Sequence, residues 1–216
     1  MYKISKKLRE IQGSVCISGS KSESNRLLLL RAYFSYFKIF NLSDSDDTQL
    51  MLSAIESDEN VIDIGHAGTA MRFLTSYFAS IPENSKVLTG SKRMRERPIS
   101  ILVNALKDLG CEIKYKEKSG FPPLEIHGKN ILKNSVTLPA DVSSQYISSL
   151  MMLGVSLENG LKIILSNEIT SLPYILMTKI IIERIGGIVK IQDKEIVIKP
   201  FKEKVIPEQF VESDWS

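Results

Sequence analysis

The sequence has few of the residues that mark a disulfide-bonded, metal-binding or nucleic-acid-binding protein. It contains two cysteines, Cys16 and Cys111, with no CxxC motif and no Cys/His spacing of the kind that binds zinc. Each lies in an apolar or alternating run, so both are predicted to be reduced core residues. The 28 lysines and arginines exceed the acids by only 3, far from the basic excess of a dedicated nucleic-acid-binding domain. Any cationic site must therefore be local.

Long apolar runs are also missing. The amino-terminal segment MYKISKKLREIQGS is positively charged but lacks the apolar core of a signal peptide. No stretch approaches the roughly 18 apolar residues of a membrane span. A cytoplasmic protein without a membrane or nucleic-acid partner is therefore expected. With 43% apolar and 25% charged residues, the chain has the composition of an ordinary globular protein.

Short alternating or β-branched runs predict strands that alternate with helices. The runs begin with VCIS at residues 15–18 and continue with VIDI, KVLT, EIKY, LEIH, SVTL, KIIL, IVKI and EIVI. Six helices are predicted, at residues 21–37, 46–57, 69–79, 98–109, 144–153 and 173–185. Strands and helix pairs recur about every 60 to 65 residues, which predicts an α/β domain built from three copies of one unit.

The end of the sequence has an unusual pattern. A strand-like run, EQFVE, is followed by the helix-start signal Ser213 and Asp214, with no helix after it. We therefore expect the natural polypeptide to continue beyond Ser216.

The segment GSKSESNRLLLL combines a helix start with cationic and hydroxyl side chains. Ser20 and Glu23 have the spacing of a capping box, which places Lys21 and Ser22 in the first helical turn. Arg26 follows Ser22 by four residues, so both project from one face beside a helix end that favours anions. The segment fits a phosphate or carboxylate site, and a capped helix with solvated charges explains the same residues.

Two loops that contain glycine or arginine are further candidates. In GHAGTAMRFL, Gly68 would let a ligand approach backbone N–H groups closely, while His66 fits a hydrogen-bonded loop residue better than a metal ligand. In LTGSKRMRERPI, four cations precede a helix and oppose its dipole, so anion binding explains them better than local stability does. These cations are Lys92, Arg93, Arg95 and Arg97. A glycine required by chain geometry and a solvated basic loop are the alternatives.

Hydroxyl and amide side chains mark two later helix starts, each of which also fits a simple N-cap. They are Ser143, Ser144 and Gln145 in DVSSQYISSLMMLG, and Ser171 and Tyr174, on either side of Pro173, in TSLPYILMTKII. The acidic run DSDD at residues 44–47 resembles a set of metal ligands. Acids in a first helical turn complement the helix dipole, however, so capping is preferred and no metal site is predicted.

Taken together and in order, these segments resemble the successive signatures of the EPSP synthase (3-phosphoshikimate 1-carboxyvinyltransferase) family. The matching segments are GSKSESNR, SDDTQLM, GHAGTAMRFL, LTGSKRMRERPI, FPPLEIHG, SSQYISSLMM, SLPYI and VESDWS. The resemblance implies an α/β (α+β) domain with three βαβαββ units, one domain of the two-domain enolpyruvyl transferase fold. Residues 1–12 would belong to the other domain, residues 13–212 to the three-unit substrate-binding domain, and residues 213–216 to the return toward the missing domain.

The resemblance also implies a reaction and roles for the matching residues. The family transfers the enolpyruvyl group of phosphoenolpyruvate to the 5-hydroxyl of shikimate 3-phosphate, a step of aromatic amino-acid biosynthesis, without a cofactor. Shikimate 3-phosphate contacts are implied for Lys21, Ser22, Arg26, Ser143, Ser144, Gln145, Ser171 and Tyr174. Phosphoenolpyruvate contacts are implied for Lys21, Gly68, Arg93 and Gln145, with Lys21 as the catalytic residue. The family's principal acid and base carboxylates lie in its second half, so a monomeric fragment that binds shikimate 3-phosphate weakly and does not turn over is expected.

Two residues depart from the family pattern, in which Asn is usual at His66 and Pro is frequent at Phe73. The loop around Gly68 is therefore expected to differ in detailed shape. The nearest alternative is the related UDP-N-acetylglucosamine enolpyruvyl transferase, against which the KSESNR and SSQ segments argue. An alternative of another class is a noncatalytic anion-binding module.

Overall fold

The structure, a computed structural model, describes residues 13–34, 37–141, 143–201 and 208–214. The helices in these ranges are α1 (Lys21–Phe34), α2 (Asp46–Glu56), α3 (Gly68–Ser80), α4 (Lys92–Arg95), α5 (Ser100–Asp108), α6 (Ser144–Ser156) and α7 (Leu172–Arg184). The strands there are β1 (Ile39–Phe40), β2 (Val61–Asp63), β3 (Ser85–Thr89), β4 (Glu112–Tyr115), β5 (Leu124–His127), β6 (Ser135–Leu138), β7 (Leu161–Leu165), β8 (Ile188–Gln192), β9 (Glu195–Lys199) and β10 (Gln209–Phe210). All six predicted helices and every predicted strand from VIDI onward are confirmed, whereas α4 is absent from the sequence prediction.

Two four-stranded sheets share one topology. The strand order is β2-β3-β5-β4 in the first sheet and β6-β7-β9-β8 in the second. The first two strands of each sheet run parallel, which requires a crossover connection, and α3 or α6 supplies it. The last two strands form an antiparallel hairpin. Each sheet and its connecting helices therefore form a βαβαββ unit.

The third predicted unit lies only partly within the described residues. Helices α1 and α2 flank β1, and β1 pairs in parallel with β10, with Ile39 opposite Gln209 and Phe40 opposite Phe210. This two-stranded pair does not form a third complete unit in the described ranges, so the threefold repeat stays a prediction. The predicted first segment, residues 1–12, lies outside the described residues.

The segment before α1 differs from its sequence prediction. Residues 15–18 form no strand, although Gly19 forms one antiparallel bridge with Ser213. Cys16 is exposed, so the prediction that it is a core residue is wrong. An alternating pattern favours a strand only where a neighbour packs against it, and local sequence does not reveal that neighbour. Cys111 is buried as predicted, and its burial raises the pKa of the thiol to about 12.

Three buried helices, α1, α3 and α6, pack against one another at the centre of the fold. Leu27 to Leu30 of α1 are each at most 1% exposed, which accounts for the LLLL run directly after the polar helix start. A helix that is apolar on all sides is stable only where other elements enclose it. None of the helices in the described ranges, these three included, is both long and apolar enough to cross a membrane.

Candidate functional site

The first turns of four helices meet at a cavity of about 430 Å³, here named the first cavity. Its lining residues are Lys21, Ser22, Arg26, Thr69, Ser143, Ser144, Gln145, Ser171, Tyr174 and Asp214. They come from the beginnings of α1, α3, α6 and α7 and from the segment after β10. All eight residues that the family resemblance connects with shikimate 3-phosphate are among them. Helix N-termini have free N–H groups and the positive end of the helix dipole, so this arrangement suits an anion.

Lys21 lines the first cavity at the start of α1. Its ammonium nitrogen lies 3.8 Å from Asp47 Oδ1, and its backbone N–H donates to Asp214 Oδ2 at 3.4 Å. The Lys21 side chain is 46% exposed, and an ion pair of this length and exposure is weak. The Lys21 charge is therefore available to an anionic ligand.

The capping box predicted at this helix start is wrong. The buried Glu23 carboxylate instead accepts hydrogen bonds from Arg184 at 2.6 Å and from the Glu212 N–H at 2.9 Å. The Ser20 N–H, which a capping box would pair with Glu23, donates to Glu212 O at 2.7 Å. These contacts hold the start of α1, and Lys21 with it, against α7 and the returning chain.

Arg26 is a buried cation in the wall of the first cavity, with 2% of its surface exposed. Its Nε donates to Thr178 Oγ1 at 2.7 Å, its Nη1 to Ser22 O at 2.8 Å and its Nη2 to Ser148 Oγ at 3.2 Å. In the part of the chain that the structure describes, no carboxylate pairs with it. Burial lowers the pKa of Arg26 to about 10, because removal from water disfavours the cation. A buried cation without a counterion is a strong attractor for an anionic ligand.

The start of α6 supplies hydroxyl and amide groups, as predicted. Ser143 is the N-cap, and its Oγ accepts the Gln145 N–H at 3.4 Å. The Gln145 side chain points toward α3, where its Nε2 donates to Thr69 Oγ1 at 3.2 Å. Two of the helix starts that surround the cavity are therefore joined directly.

The start of α7 closes another side of the first cavity. Ser171 is its N-cap and Pro173 lies in its first turn, as predicted. Tyr174 is 47% exposed, and its ring centroid is 5.9 Å from the Arg26 guanidinium carbon. The face of an aromatic ring attracts a cation at this distance, so Tyr174 helps to stabilise the Arg26 charge.

A second cavity, of about 410 Å³, is lined by His66, Arg93, Met94 and Arg97. Gly68 lies between the two cavities, because the next residue, Thr69, lines the first cavity and a Cβ atom built at Gly68 would meet Arg97 Nη1. Arg93 lines the second cavity, whereas Lys21 lines the first. The residues predicted to contact phosphoenolpyruvate are divided between two neighbouring cavities.

The basic segment around α4 contains cations in three different environments. Arg93 and Arg97 line the second cavity, and anion binding there stays a prediction. Arg95 pairs with Glu117 at 3.2 Å, and Lys92 is exposed. Only part of this cluster is therefore directed at a candidate site.

His66 is a hydrogen-bonded loop residue, as predicted. Its Nδ1 lies 2.8 Å from Ser91 Oγ. The same oxygen accepts the Met94 N–H at 3.3 Å, since Ser91 is the N-cap of α4. This side-chain contact connects the loop after β2 to the helix that carries Arg93.

Arg72 is a second buried cation, which the sequence reasoning missed. It is 5% exposed, and its Nη1 donates to Gly68 O at 2.9 Å. Its Nε has no hydrogen-bond partner among the described residues. Burial, together with repulsion from Arg97, lowers the pKa of Arg72, although Tyr146 acts in the opposite sense. The available signal was its position four residues after Gly68, which places the side chain over the first turn of α3.

Asp47 and Asp214 are the other missed residues with a direct contact to Lys21. Asp47 lies in the first turn of α2, as the capping prediction requires, and its ion pair with Lys21 is an additional role. Asp214 reaches Lys21 from 193 residues further along the chain. No local sequence pattern predicts such a contact.

Comparisons with known proteins agree with this fold. A family model described as EPSP synthase (3-phosphoshikimate 1-carboxyvinyltransferase) matches residues 52–216. A 3-phosphoshikimate 1-carboxyvinyltransferase from Bacteroides fragilis is 45% identical over 209 residues, which cover 96% of this chain and 50% of that protein. One from Vibrio campbellii is 35% identical over an alignment of 238 residues, which covers 97% of this chain and 56% of that protein. The chain thus spans about half the length of the curated relatives it matches.

Two solved structures show the same fold. An EPSP synthase from Acinetobacter baumannii has a TM-score of 0.77 at 19% identity, over 93% of this chain and 50% of that one. The enolpyruvyl transferase NikO from Streptomyces tendae has a TM-score of 0.61 at 12% identity, over 94% of this chain and 52% of that one. At these identities the likeness establishes the fold alone. The family model covers most of the sequence, however, and the chain therefore belongs to the EPSP synthase (3-phosphoshikimate 1-carboxyvinyltransferase) family.

Proposed function

We propose that this chain supplies the shikimate 3-phosphate side of an enzyme that transfers the enolpyruvyl group of phosphoenolpyruvate to the 5-hydroxyl of shikimate 3-phosphate. The products are EPSP and phosphate. In this proposal residues 13–212 form the substrate-binding domain, and residues 1–12 and 213–216 connect it to a second domain that carries the principal acid and base. The complete protein acts as a cytoplasmic monomer without a cofactor.

The observation that carries the proposal is the meeting of four helix starts with Lys21 and Arg26 in the first cavity. A phosphate monoester has a charge of roughly −1.5 to −2 near neutral pH, and shikimate 3-phosphate also has a carboxylate. Arginine has five N–H donors, and in the described part of the chain three of those of Arg26 are bonded within the protein. Two remain for a ligand. Arg26 therefore offers a rigid, pre-oriented charge, and Lys21 offers an adaptable one.

The hydroxyl groups around these cations set the orientation of the ligand. Ser22, Ser143, Ser144 and Ser171 line the first cavity and come from three different helix starts. A neutral hydrogen bond contributes about 0.5 to 1.5 kcal/mol, less than a charge-assisted one. The serines therefore select the pose of a hydroxylated ring more than they increase its affinity.

Phosphoenolpyruvate is assigned to the junction between the two cavities. Gly68 begins α3 there without a side chain, Arg93 supplies charge from the second cavity, and Lys21 and Gln145 face the junction from the first. In the reaction, the 5-hydroxyl oxygen bonds to C2 of phosphoenolpyruvate while its proton passes to a base and C3 gains a proton. The tetrahedral intermediate then expels phosphate and loses the C3 proton. The Lys21 ammonium, near both substrates, stabilises negative charge that develops on the departing phosphate.

Calorimetric titration of the 216-residue chain with shikimate 3-phosphate tests the first cavity. Lys21→Met should weaken binding about 10- to 150-fold, because a charge-assisted hydrogen bond contributes about 1.5 to 3 kcal/mol. Added salt should weaken binding of the wild type more than that of the variant. Lys190→Met removes an exposed lysine from β8, outside the cavity lining, and should leave the affinity unchanged. Equal affinities for the wild type and Lys21→Met would overturn the assignment.

Two further titrations separate the alternative functions. Tight binding of UDP-N-acetylglucosamine in place of shikimate 3-phosphate would indicate the related nucleotide-sugar enzyme. Binding of inorganic phosphate alone would indicate an anion-binding module. We expect neither, and we expect no phosphate release from phosphoenolpyruvate by this chain alone, because the proposal assigns the principal acid and base to the second domain.

A further inference from the structure

His66 lies between groups of opposite charge. It is an exposed residue of the loop between β2 and α3, and it lines the second cavity with Arg93 and Arg97. It also lines a third cavity, to which Asp46 and Asp47 contribute from the start of α2. Histidine is the side chain whose charge ordinarily changes between about pH 5 and 8. Protonation of this ring would therefore change the charge at the border of the second cavity.

A hydrogen-bond chain fixes the position of the ring. Ser91 Oγ accepts the Met94 N–H at 3.3 Å and lies 2.8 Å from His66 Nδ1. A neutral ring with its hydrogen on Nε2 can accept the serine hydrogen at Nδ1, which completes the chain from Met94 through Ser91 to His66. The Ser91 N–H also donates to Gly65 O at 3.0 Å, and the Gly65 N–H donates to Asp63 Oδ1 at 2.8 Å. The ring is thereby held at the cavity wall.

We propose that His66 is a proton-dependent binding residue of the second cavity, whose imidazolium form adds a third positive charge to the wall that Arg93 and Arg97 provide. An anionic group of phosphoenolpyruvate would then bind together with a proton. This inference rests on the proposed function, in which the second cavity receives that substrate.

The charges around the ring determine the direction of the coupling. His66 lines one cavity with Arg93 and Arg97 and another with Asp46 and Asp47, so the neighbouring charges oppose each other. A bound anion adds negative charge on the arginine side only. Its binding therefore favours the imidazolium, and by linkage the imidazolium favours its binding. One unit charge at about 6 Å in a water-like dielectric changes an affinity about threefold.

His66→Asn is the matched variant for a test of this coupling. The asparagine side-chain oxygen and nitrogen are two bonds from Cβ, as His66 Nδ1 is, so asparagine can keep the contact with Ser91 Oγ. Unlike the imidazole, asparagine cannot gain a proton in this pH range. Ser91→Ala makes the opposite change, since it removes the contact and keeps the titratable ring. If His66 has only a structural role, Ser91→Ala should change the affinity for phosphoenolpyruvate. If His66 binds the substrate together with a proton, His66→Asn should change that affinity by a factor that varies with pH.

The first measurement is the affinity of the chain for phosphoenolpyruvate, with shikimate 3-phosphate saturating, at about pH 6 and about pH 8. The substrate's own phosphate titrates near pH 6, so the informative quantity is the ratio of wild-type to His66→Asn affinity at each pH. We expect a ratio of about three at the lower pH and about one at the higher pH. The same ratio at both pH values would overturn the inference.

The second measurement observes the ring directly by NMR. The chain has two histidines, and the other, His127, contacts Ser85 and Glu125 in the first sheet and serves as an internal control. At about pH 6.5, added phosphoenolpyruvate should move the His66 ring signals toward their protonated positions and leave those of His127 unchanged.

The backbone amides of Gly68 and Arg93 separate the two ways in which this measurement can fail. If these amides respond to phosphoenolpyruvate and the His66 ring does not, the inference is overturned while the proposed function stands. If neither the amides nor the ring respond, the assignment of phosphoenolpyruvate to this junction is overturned as well.

Discussion

Replacing Arg26 by methionine should separate the stability of the fold from ligand binding. Arg26 is 2% exposed, and its pKa falls to about 10, chiefly because burial removes the guanidinium from water, while Tyr174 acts in the opposite sense. This lowering of the pKa corresponds to about 3 kcal/mol by which folding disfavours the charged form. Because the folded-state pKa lies below the unfolded one, this penalty is complete below about pH 10 and disappears as the pH rises toward the ordinary pKa of arginine.

Methionine removes that penalty together with three hydrogen bonds, to Thr178, Ser22 and Ser148. The penalty already accounts for the charge, so each bond is counted as a neutral one, which contributes about 0.5 to 1.5 kcal/mol net. Thr178 and Ser148 keep the 2.8 Å hydrogen bond between their hydroxyls, so neither is left without a partner. The gain and the losses are of similar size, and we expect the free energy of unfolding to change by less than about 1.5 kcal/mol. The affinity for shikimate 3-phosphate should nevertheless fall about 10- to 150-fold.

Urea unfolding followed by circular dichroism, together with calorimetry, measures both quantities. Arg184→Met is the matched control, because Arg184 pairs at 2.6 Å with the buried Glu23 and does not line the first cavity. It should destabilise the protein more than Arg26→Met, since it leaves a buried carboxylate without its cation, and should change the affinity less. A loss of more than about 3 kcal/mol in Arg26→Met, with Arg184→Met the milder change, would refute this reasoning.

Three further predictions concern the glycine between the cavities, the thiols and a partly buried tyrosine. Gly68→Ala puts a methyl group against the flexible end of Arg97 and 3.0 Å from Nη1 of the buried Arg72. It should lower the free energy of unfolding by about 1 kcal/mol and weaken phosphoenolpyruvate binding about tenfold or more in calorimetry. Unchanged binding would contradict the assignment of that substrate. A chromogenic thiol reagent near neutral pH should modify the exposed Cys16 quickly and Cys111 only on unfolding, because burial raises the pKa of the Cys111 thiol to about 12; equal rates would disprove this. Burial also raises the pKa of Tyr33 above its ordinary value of 10.0, so above that pH the unfolded chain ionises first and stability falls as the pH rises. Urea titrations between about pH 9 and pH 11 should show that the free energy of unfolding falls less in Tyr33→Phe than in the wild type. Identical falls would count against the effect of burial on the Tyr33 pKa.

Sequence patterns predicted those elements whose limits depend on nearby residues. EIKY and LEIH became β4 and β5 with the expected boundaries, because an alternating run that forms a hairpin has its neighbour close in the chain. Helix α4 was missed because four residues are too few for a helical period. VCIS failed as a strand although its pattern was suitable, since the described structure pairs only the adjoining Gly19.

In the candidate site, too, the sequence predicted those features that depend on nearby residues. Ser143 and Ser171 could be recognised as helix caps because an N-cap and a proline in the first turn are local signals. The contact of Glu23 with Arg184 spans 161 residues, so the chain offers no local sign of it. A glutamate three residues after a serine fits a capping box equally well, and tertiary packing decides between the two arrangements.

In the proposed function, the two cations of the first cavity have different roles in binding a charged substrate. Arg26 is fixed by three hydrogen bonds and burial, so it gives up little conformational entropy when a ligand arrives, and its unfavourable desolvation is already part of the folded state. Lys21 is half exposed and 3.8 Å from Asp47, so a phosphate can replace that carboxylate at small cost. In the proposed function, the rigid charge fixes where shikimate 3-phosphate sits, and the adaptable charge follows the phosphate of phosphoenolpyruvate through a change in its bonding. A site made of two rigid arginines would bind the ground state equally well and would adjust less to the transition state.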